Sequence, residues 1–165
     1  MSLPASTVLP DGRPVVLRAA TRGDIPALVT LIADDELGSG RDGIGNAADL
    51  LAYEQAFEAI DRDGAHVLLA AESDSAVVGT LQLSFLPGLA RRGSWRAQIE
   101  TVRVAAALRG QGLGSLMIRW AVDAAIVRGC SLVQLTSDKQ RPDAHRFYEG
   151  LGFRATHEGM KLRLH

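Results

Sequence analysis

Apolar and polar positions along the chain switch between two periods, and the switches mark out the elements. Val15 to Ala20 is a short apolar run that predicts a first strand. Thr21-Arg22-Gly23-Asp24 follows, in which Thr21 or Asp24 can cap a helix, and Pro26 suits that helix's first turn. Ile25, Leu28, Val29 and Ile32 then recur at helical spacing. The acidic, glycine-rich stretch from Asp34 to Gly40 ends this helix, and a second runs from Asn46 to Asp61 with Leu50, Leu51, Phe57 and Ile60 on its buried side. His66 to Glu72 and Ala76 to Leu86 are strand-like runs joined by Ser73-Asp74-Ser75, which predicts a hairpin. Pro87 to Trp95 reads as a loop with Arg91, Arg92 and Arg96 nearby, and Ile99 to Val104 as the next strand. Gly112 to Arg128 is amphipathic, with Leu113, Leu116, Met117, Trp120, Ala121 and Ala124 on one stripe. Leu132 to Thr136 is a further strand, so strand, helix and strand make a right-handed parallel crossover. Pro142 opens a short helix carrying Ala144, Phe147, Tyr148 and Leu151, and Phe153 to Thr156 with Met160 to Leu164 predict a closing hairpin. Met1 to Pro14 reads as a mobile leader, and residues 15–165 as one domain.

Composition narrows the function classes. The chain has 165 residues, 47% of them hydrophobic, and a formal net charge of −1, which gives no support to general binding of nucleic acid or of a membrane surface. No apolar run approaches the length that spans a bilayer, and Met1 to Pro10 lacks the basic start and apolar core of a secretory signal. Cys130 is the single cysteine, which excludes an internal disulfide and points to the reducing cytoplasm. His66, His145, His157 and His165 show no metal-ligand spacing, so no metal is expected.

The stretch Arg109-Gly110-Gln111-Gly112-Leu113-Gly114 carries the candidate chemistry. It stands between an apolar strand and a helix start, the order that an anion site needs, because the free N–H groups of a first helical turn and the helix dipole both favour negative charge. A Walker A loop would require a lysine after the glycines, and here Gly114 is followed by Ser115-Leu116. A dinucleotide fingerprint fits Gly110, Gly112 and Ser115, with Asp138 after the next strand. Five residues, Ala105 to Arg109, nevertheless separate its first glycine from the strand, and only one strand–helix–strand unit is present. The remaining reading is Arg109-x-x-Gly112-x-Gly114.

With that loop the sequence resembles the GNAT superfamily of N-acyltransferases. Ala144-His145-Arg146-Phe147-Tyr148-Glu149-Gly150-Leu151-Gly152-Phe153 is similar to the family's second signature. The order of elements from Val15 to Leu164 matches as well. The resemblance implies a mixed α/β fold: a mostly antiparallel, twisted sheet of about six to seven strands, flanked by about four helices and splayed between strands 4 and 5. It implies acetyl-coenzyme A as acyl donor, with the pyrophosphate held by Arg109, Gly110, Gln111, Gly112, Leu113, Gly114 and Ser115. Val102, Arg103 and Val104 would follow the pantetheine arm, Val102 and Val104 through their backbones. Arg141 stands where many relatives have an asparagine, and reads either as a phosphate contact or as an exposed surface charge. A homodimer is a further expectation at the level of the family.

Two residues carry the expected chemistry of transfer. Val102 and Val104 share parity and Ile99 has the opposite one, so a strand that buries all three must hold a bulge near Glu100-Thr101. Glu100 can take the proton from an amine before it attacks the thioester, or it can pair with an arginine such as Arg96 or Arg103. Tyr148 can donate a proton to the leaving thiolate, or it can serve packing alone at a helical core position. For the acceptor, Asp34, Asp35, Glu36 and Asp42 suggest a small cationic amine, whereas Arg91, Arg92 and Arg96 suggest one bearing a carboxylate. The leading expectation is thus an N-acetyltransferase acting on a primary amine, most simply of a small molecule, in a ternary complex. A non-catalytic acyl-coenzyme A sensor, or an enzyme acting on a protein N-terminus or lysine, is the alternative.

Overall fold

The fold is built on one six-stranded sheet in which the spatial order of strands follows their order in the chain. The structure is a computed structural model and describes residues 3–34, 40 and 42–164. The strands are β1 (Ala5–Val8), β2 (Pro14–Ala19), β3 (His66–Ser73), β4 (Ala76–Leu86), β5 (Trp95–Val104) and β6 (Cys130–Leu135). Every neighbouring pair is antiparallel except β5–β6. A parallel pair cannot be closed by a tight turn and needs a crossover, which α4 (Leu113–Val127) supplies. The other helices are α1 (Ile25–Ala33), α2 (Ala47–Arg62), the single turn α3 (Ala90–Gly93) and α5 (Pro142–Gly150).

Local chemistry explains the boundaries. The Asn46 side chain accepts hydrogen bonds from the N–H groups of Ala48 and Asp49, and Asp49 accepts one from the N–H of Asn46, a reciprocal cap that starts α2. Asp74 and Ser75, with φ of +50° and +62°, turn the β3–β4 hairpin in the conformation that matches strand twist. α4 lies on one face of the sheet, where Leu113, Met117, Ile118 and Ala121 meet Leu81, Leu83, Ala97 and Ile99. On the opposite face Ile25, Leu28, Val29 and Phe57 of α1 and α2 cover Ala20 and Ala70.

Two segments differ from the sequence expectation. Ala5–Val8, inside the expected leader, pairs with β2 as an edge strand, and Leu9 is buried behind it. Ala-Ser-Thr-Val offers one large apolar side chain, too little for periodicity to register. The closing hairpin is absent: residues 153–164 form no strand, and Met160, Leu162 and Leu164 are exposed. Their alternation with Lys161 and Arg163 has the strand period, but a strand also requires a partner edge, and none meets it among the described residues. Because β1 adds a strand at the front, the parallel pair expected between strands 4 and 5 is β5–β6.

Candidate active site

The centre of the site is an irregularity in β5. Gln82 opposes Glu100 and Thr80 opposes Arg103, so a three-residue step on β5 faces a two-residue step on β4. The extra residue is a bulge at Thr101, whose φ of +54° is a left-handed conformation unfavourable to a β-branched side chain. Ala97 and Ile99 face α4 before the bulge, and Val102 and Val104 pack against the same core after it. This is the parity break that the sequence required. Glu100 lies on the other face, exposed. The pairing of β5 with β6 runs from Trp95 opposite Cys130 to Ile99 opposite Leu135 and stops there, while β5 continues to Val104. Beyond Ile99 the two strands diverge.

The glycine loop closes the far end of this gap. A turn at Ala106–Leu108 buries Leu108 beneath the loop. Gly112 caps α4 with φ of +86°, a conformation that only glycine adopts without strain. The first helical bond of α4 runs from the N–H of Leu116 to the carbonyl of Gly112. The N–H groups of Leu113, Gly114 and Ser115 therefore have no acceptor within the helix and point out of its positive end. A cavity of about 400 Å³ opens in front of those of Gly114 and Ser115, lined by Val102, Val104, Leu108, Arg109, Gly110, Gly112, Gly114, Ser115, Phe147 and Tyr148. Free amides, a dipole and an apolar channel suit the phosphate and pantetheine parts of a coenzyme A molecule.

The remaining expected coenzyme contacts have other surroundings. Leu113 is sealed in the core. Gln111 accepts a hydrogen bond from Arg13 and donates one to the carbonyl of Ala107, which braces the loop. Arg109 donates to the carbonyl of Val104 and forms an ion pair of 2.7 Å with Asp34, tying the loop to the end of α1. Arg103 donates to the carbonyl of Val102. Leu108 and Phe147 line the cavity and were not foreseen as site residues. Leu108 is the one large apolar residue in Ala105-Ala106-Ala107-Leu108, and Phe147 precedes Tyr148 in the second signature.

Tyr148 lies on α5 with its ring edge-on to Phe147 at 5.1 Å and to Phe153 at 6.0 Å. Burial raises the pKa of its phenol, and the guanidinium groups of Arg103 and Arg141 pull against that shift. The phenol keeps its proton at neutral pH, as a proton donor must. Tyr148 and the two arginines thus gather on one side, while Glu100, the first residue of β5 past its last partner on β6, is exposed on the other face.

The acidic residues suggested as a cation-attracting rim are held locally. Asp34 pairs with Arg109, Asp42 accepts from the hydroxyl of Tyr53, Asp49 caps α2, and Glu54 pairs with Arg22. Asp35 and Glu36 lie outside the described residues. Arg91 and Arg92 sit in the turn before β5, at the end of that strand away from the bulge. Arg96 is on β5 itself, exposed, and shares a face with Glu100.

Comparison with known proteins fits this geometry. A model of the family described as "Acetyltransferase (GNAT) family" matches residues 32–153. The aminoalkylphosphonate N-acetyltransferase of Salmonella typhimurium is 32% identical over 142 residues, 86% of each chain. The glucosamine 6-phosphate N-acetyltransferase of Trypanosoma brucei brucei is 38% identical over 89 residues, 53% of this chain and 58% of that one. Among solved structures, one described as a transcriptional regulator from Bacillus halodurans C-125 is 48% identical with a TM-score of 0.87, over 91% of this chain and 99% of that one.

Proposed function

Because the chain belongs to the acetyltransferase (GNAT) family, we propose that it transfers the acetyl group of acetyl-coenzyme A to the primary amine of a small molecule, by direct attack in a ternary complex. The observation that carries this reading is the cavity bounded by the end of β5, the glycine loop and α5, with the free amides of Gly114 and Ser115 on its wall. The coenzyme's pyrophosphate sits on those amides. Its pantetheine arm runs along Val102 and Val104 toward Tyr148. The acceptor arrives from the opposite face of the sheet, where Glu100 is exposed.

The ammonium group of the acceptor loses a proton to Glu100, directly or through water. The free amine attacks the thioester carbonyl, the C–N bond forms, and the C–S bond breaks. Tyr148 gives its proton to the departing thiolate; the acetylated nitrogen releases its remaining extra proton to solvent, from which Tyr148 is reprotonated. The products are an N-acetyl compound and coenzyme A. The named relatives of this chain act on an aminoalkylphosphonate and on glucosamine 6-phosphate, which supports a small acceptor.

The test is thiol release from acetyl-coenzyme A in the presence of a panel of amines: amino acids, aminoalkylphosphonates, amino sugar phosphates, polyamines and aminoglycosides. Release above the buffer rate with at least one amine is expected. Glu100→Gln is expected to lower kcat and to remove the rise of the pH–rate profile on its acid side. An unchanged profile removes Glu100 as the base. One observation favours a second reading, since the 48% identical structure is described as a transcriptional regulator. On that reading the cavity binds acyl-coenzyme A as a signal. Tight binding of acetyl-coenzyme A without thiol release for any amine selects it.

A further inference from the structure

The face of the sheet opposite α4 carries a polar row that the cavity does not use. His66, Ser84, Gln98 and Gln134 are register partners across β3, β4, β5 and β6. His66 and Ser84 share a hydrogen bond of 2.8 Å, and the amide of Gln134 donates to that of Gln98 at 2.7 Å. Gln98 is thereby locked between Arg96 and Glu100, both exposed on the same face of β5. Among the described residues neither Arg96 nor Glu100 has an ion-pair or side-chain hydrogen-bond partner.

The spacing explains why these two charges do not pair with each other. Two residues apart on a strand, they would stand about 7 Å apart and could neutralise one another; four residues apart, their Cα atoms are separated by about 13 Å. The interval is occupied by an immobilised amide. A positive and a negative side chain are left facing solvent across a gap that their own lengths narrow to the size of a small molecule. A ligand with both charges, in the opposite order, satisfies both ends. Arginine's planar fork favours an oxyanion, a phosphonate, phosphate or carboxylate, over a neutral group.

We propose that the outer row of β5 is the acceptor bed and that the acceptor is a small zwitterion, its ammonium beside Glu100 and its oxyanion on Arg96, with Gln98 and Gln134 fixing its position. This rests on the acetyltransferase reading and deepens it, because it makes Arg96 the residue that selects the acceptor. An acidic group on the acceptor also keeps the amine correctly oriented for attack, since the two ends are held independently.

Matched acceptors test it: 2-aminoethylphosphonate, β-alanine and uncharged ethanolamine, with the wild-type protein, Arg96→Gln and Arg96→Lys. For the wild type, kcat/KM should be higher with the phosphonate or the carboxylate than with ethanolamine, and their ranking identifies the oxyanion. Arg96→Gln is expected to raise KM for the preferred anionic acceptor at least about tenfold, the loss of a charge-assisted hydrogen bond. KM for acetyl-coenzyme A and the rate with ethanolamine should not change, and Arg96→Lys should restore part of the loss. A wild-type enzyme indifferent to the anion, or an equal effect of Arg96→Gln on ethanolamine, overturns the proposal. If acetyl-coenzyme A binds but no amine is turned over, titration with 2-aminoethylphosphonate and β-alanine in the presence of coenzyme A still reads the site. Binding lost in Arg96→Gln then upholds the zwitterion bed while the transfer reading falls, and absence of wild-type binding to either overturns the bed as well.

Discussion

Gly112 and Gly114 are two residues apart, and their replacement by alanine should differ in what is lost, stability at Gly112 and ligand affinity at Gly114. Gly112 holds φ of +86°, and a β-carbon there would meet nothing closer than the Pro10 ring at 3.6 Å, an ordinary contact. The penalty of Gly112→Ala is conformational, about 1–2 kcal/mol for a left-handed alanine. That lowers Tm by roughly 2–8 °C for a domain of this size. Gly114 lies inside the helix, where alanine is the better helix former by about 1 kcal/mol. Its β-carbon would stand 3.3 Å from the Phe147 ring edge and 3.8 Å from a Val104 methyl, both on the cavity wall. A crowded contact of that kind costs about 1–3 kcal/mol, so the net effect is a loss of about 0–2 kcal/mol and a Tm lowered by no more than roughly 8 °C. The larger effect falls on the ligand, because the new methyl and the displaced ring enter the space in front of the free amides. Calorimetric titration with coenzyme A should show affinity weakened about tenfold or more, the equivalent of about 1.4 kcal/mol. Differential scanning calorimetry on both variants supplies the other half of the comparison. If Gly114→Ala binds coenzyme A as the wild type does, the amides of Gly114 and Ser115 are not the phosphate site. If Gly112→Ala is as stable as the wild type, the left-handed cap is not what shapes the loop.

Two further outcomes follow from the packing and electrostatics. Asp24 is hydrogen-bonded and ion-paired to Arg18, which holds its carboxyl at about 2, below its ordinary 3.8. The folded form binds the proton less readily than the unfolded form, so this contribution is complete above pH 4 and fades as pH falls toward 2, by about 2 kcal/mol in all. Urea unfolding at pH values between 2 and 6 should show a wild-type advantage over Asp24→Asn that disappears at the acid end; an advantage independent of pH would refute the assignment. Gly79 is buried, and a β-carbon there would lie 3.1 Å from the sulfur of Met117 and 3.3 Å from both Leu113 and the carbonyl of Arg103. Gly79→Ala should therefore destabilise by about 1–3 kcal/mol in urea unfolding, and an unchanged midpoint would show that α4 can shift away from β4 freely.

The sequence made legible what depends on residues close together in the chain. The bulge could be read because Ile99, Val102 and Val104 are all apolar while their parities conflict, and the structure holds the extra residue at Thr101. The phosphate-type loop could be read because glycine positions and a helix start are local properties. What could not be read depends on pairing across the sheet. Gln98 and Gln134 are 36 residues apart and become a locked pair through register. Leu108 and Phe147 reach one cavity from different elements. The acids Asp34, Asp49 and Glu54 look alike in sequence, yet one holds the glycine loop, one caps a helix and one pairs with Arg22. The final alternation of Met160, Leu162 and Leu164 identified a chain able to lie on a sheet without identifying an edge to receive it.

One backbone defect links these parts. Without the extra residue at Thr101, a strand that buries Ile99 would also bury Thr101 and Arg103, and it would turn Val102 and Val104 away from α4. The cavity would then present a polar wall, and Glu100 would be followed on its own face by two valines. With the bulge, the apolar wall continues along the α4 face, while Arg96, Gln98 and Glu100 keep the other face polar up to the point where β6 departs. On the proposed reading, a donor along Val102 and Val104 and an acceptor along Arg96 to Glu100 would approach from opposite sides, each on a surface of its own chemistry. The strained φ of Thr101 is the local penalty of that division, offset by the core that Val102 and Val104 complete.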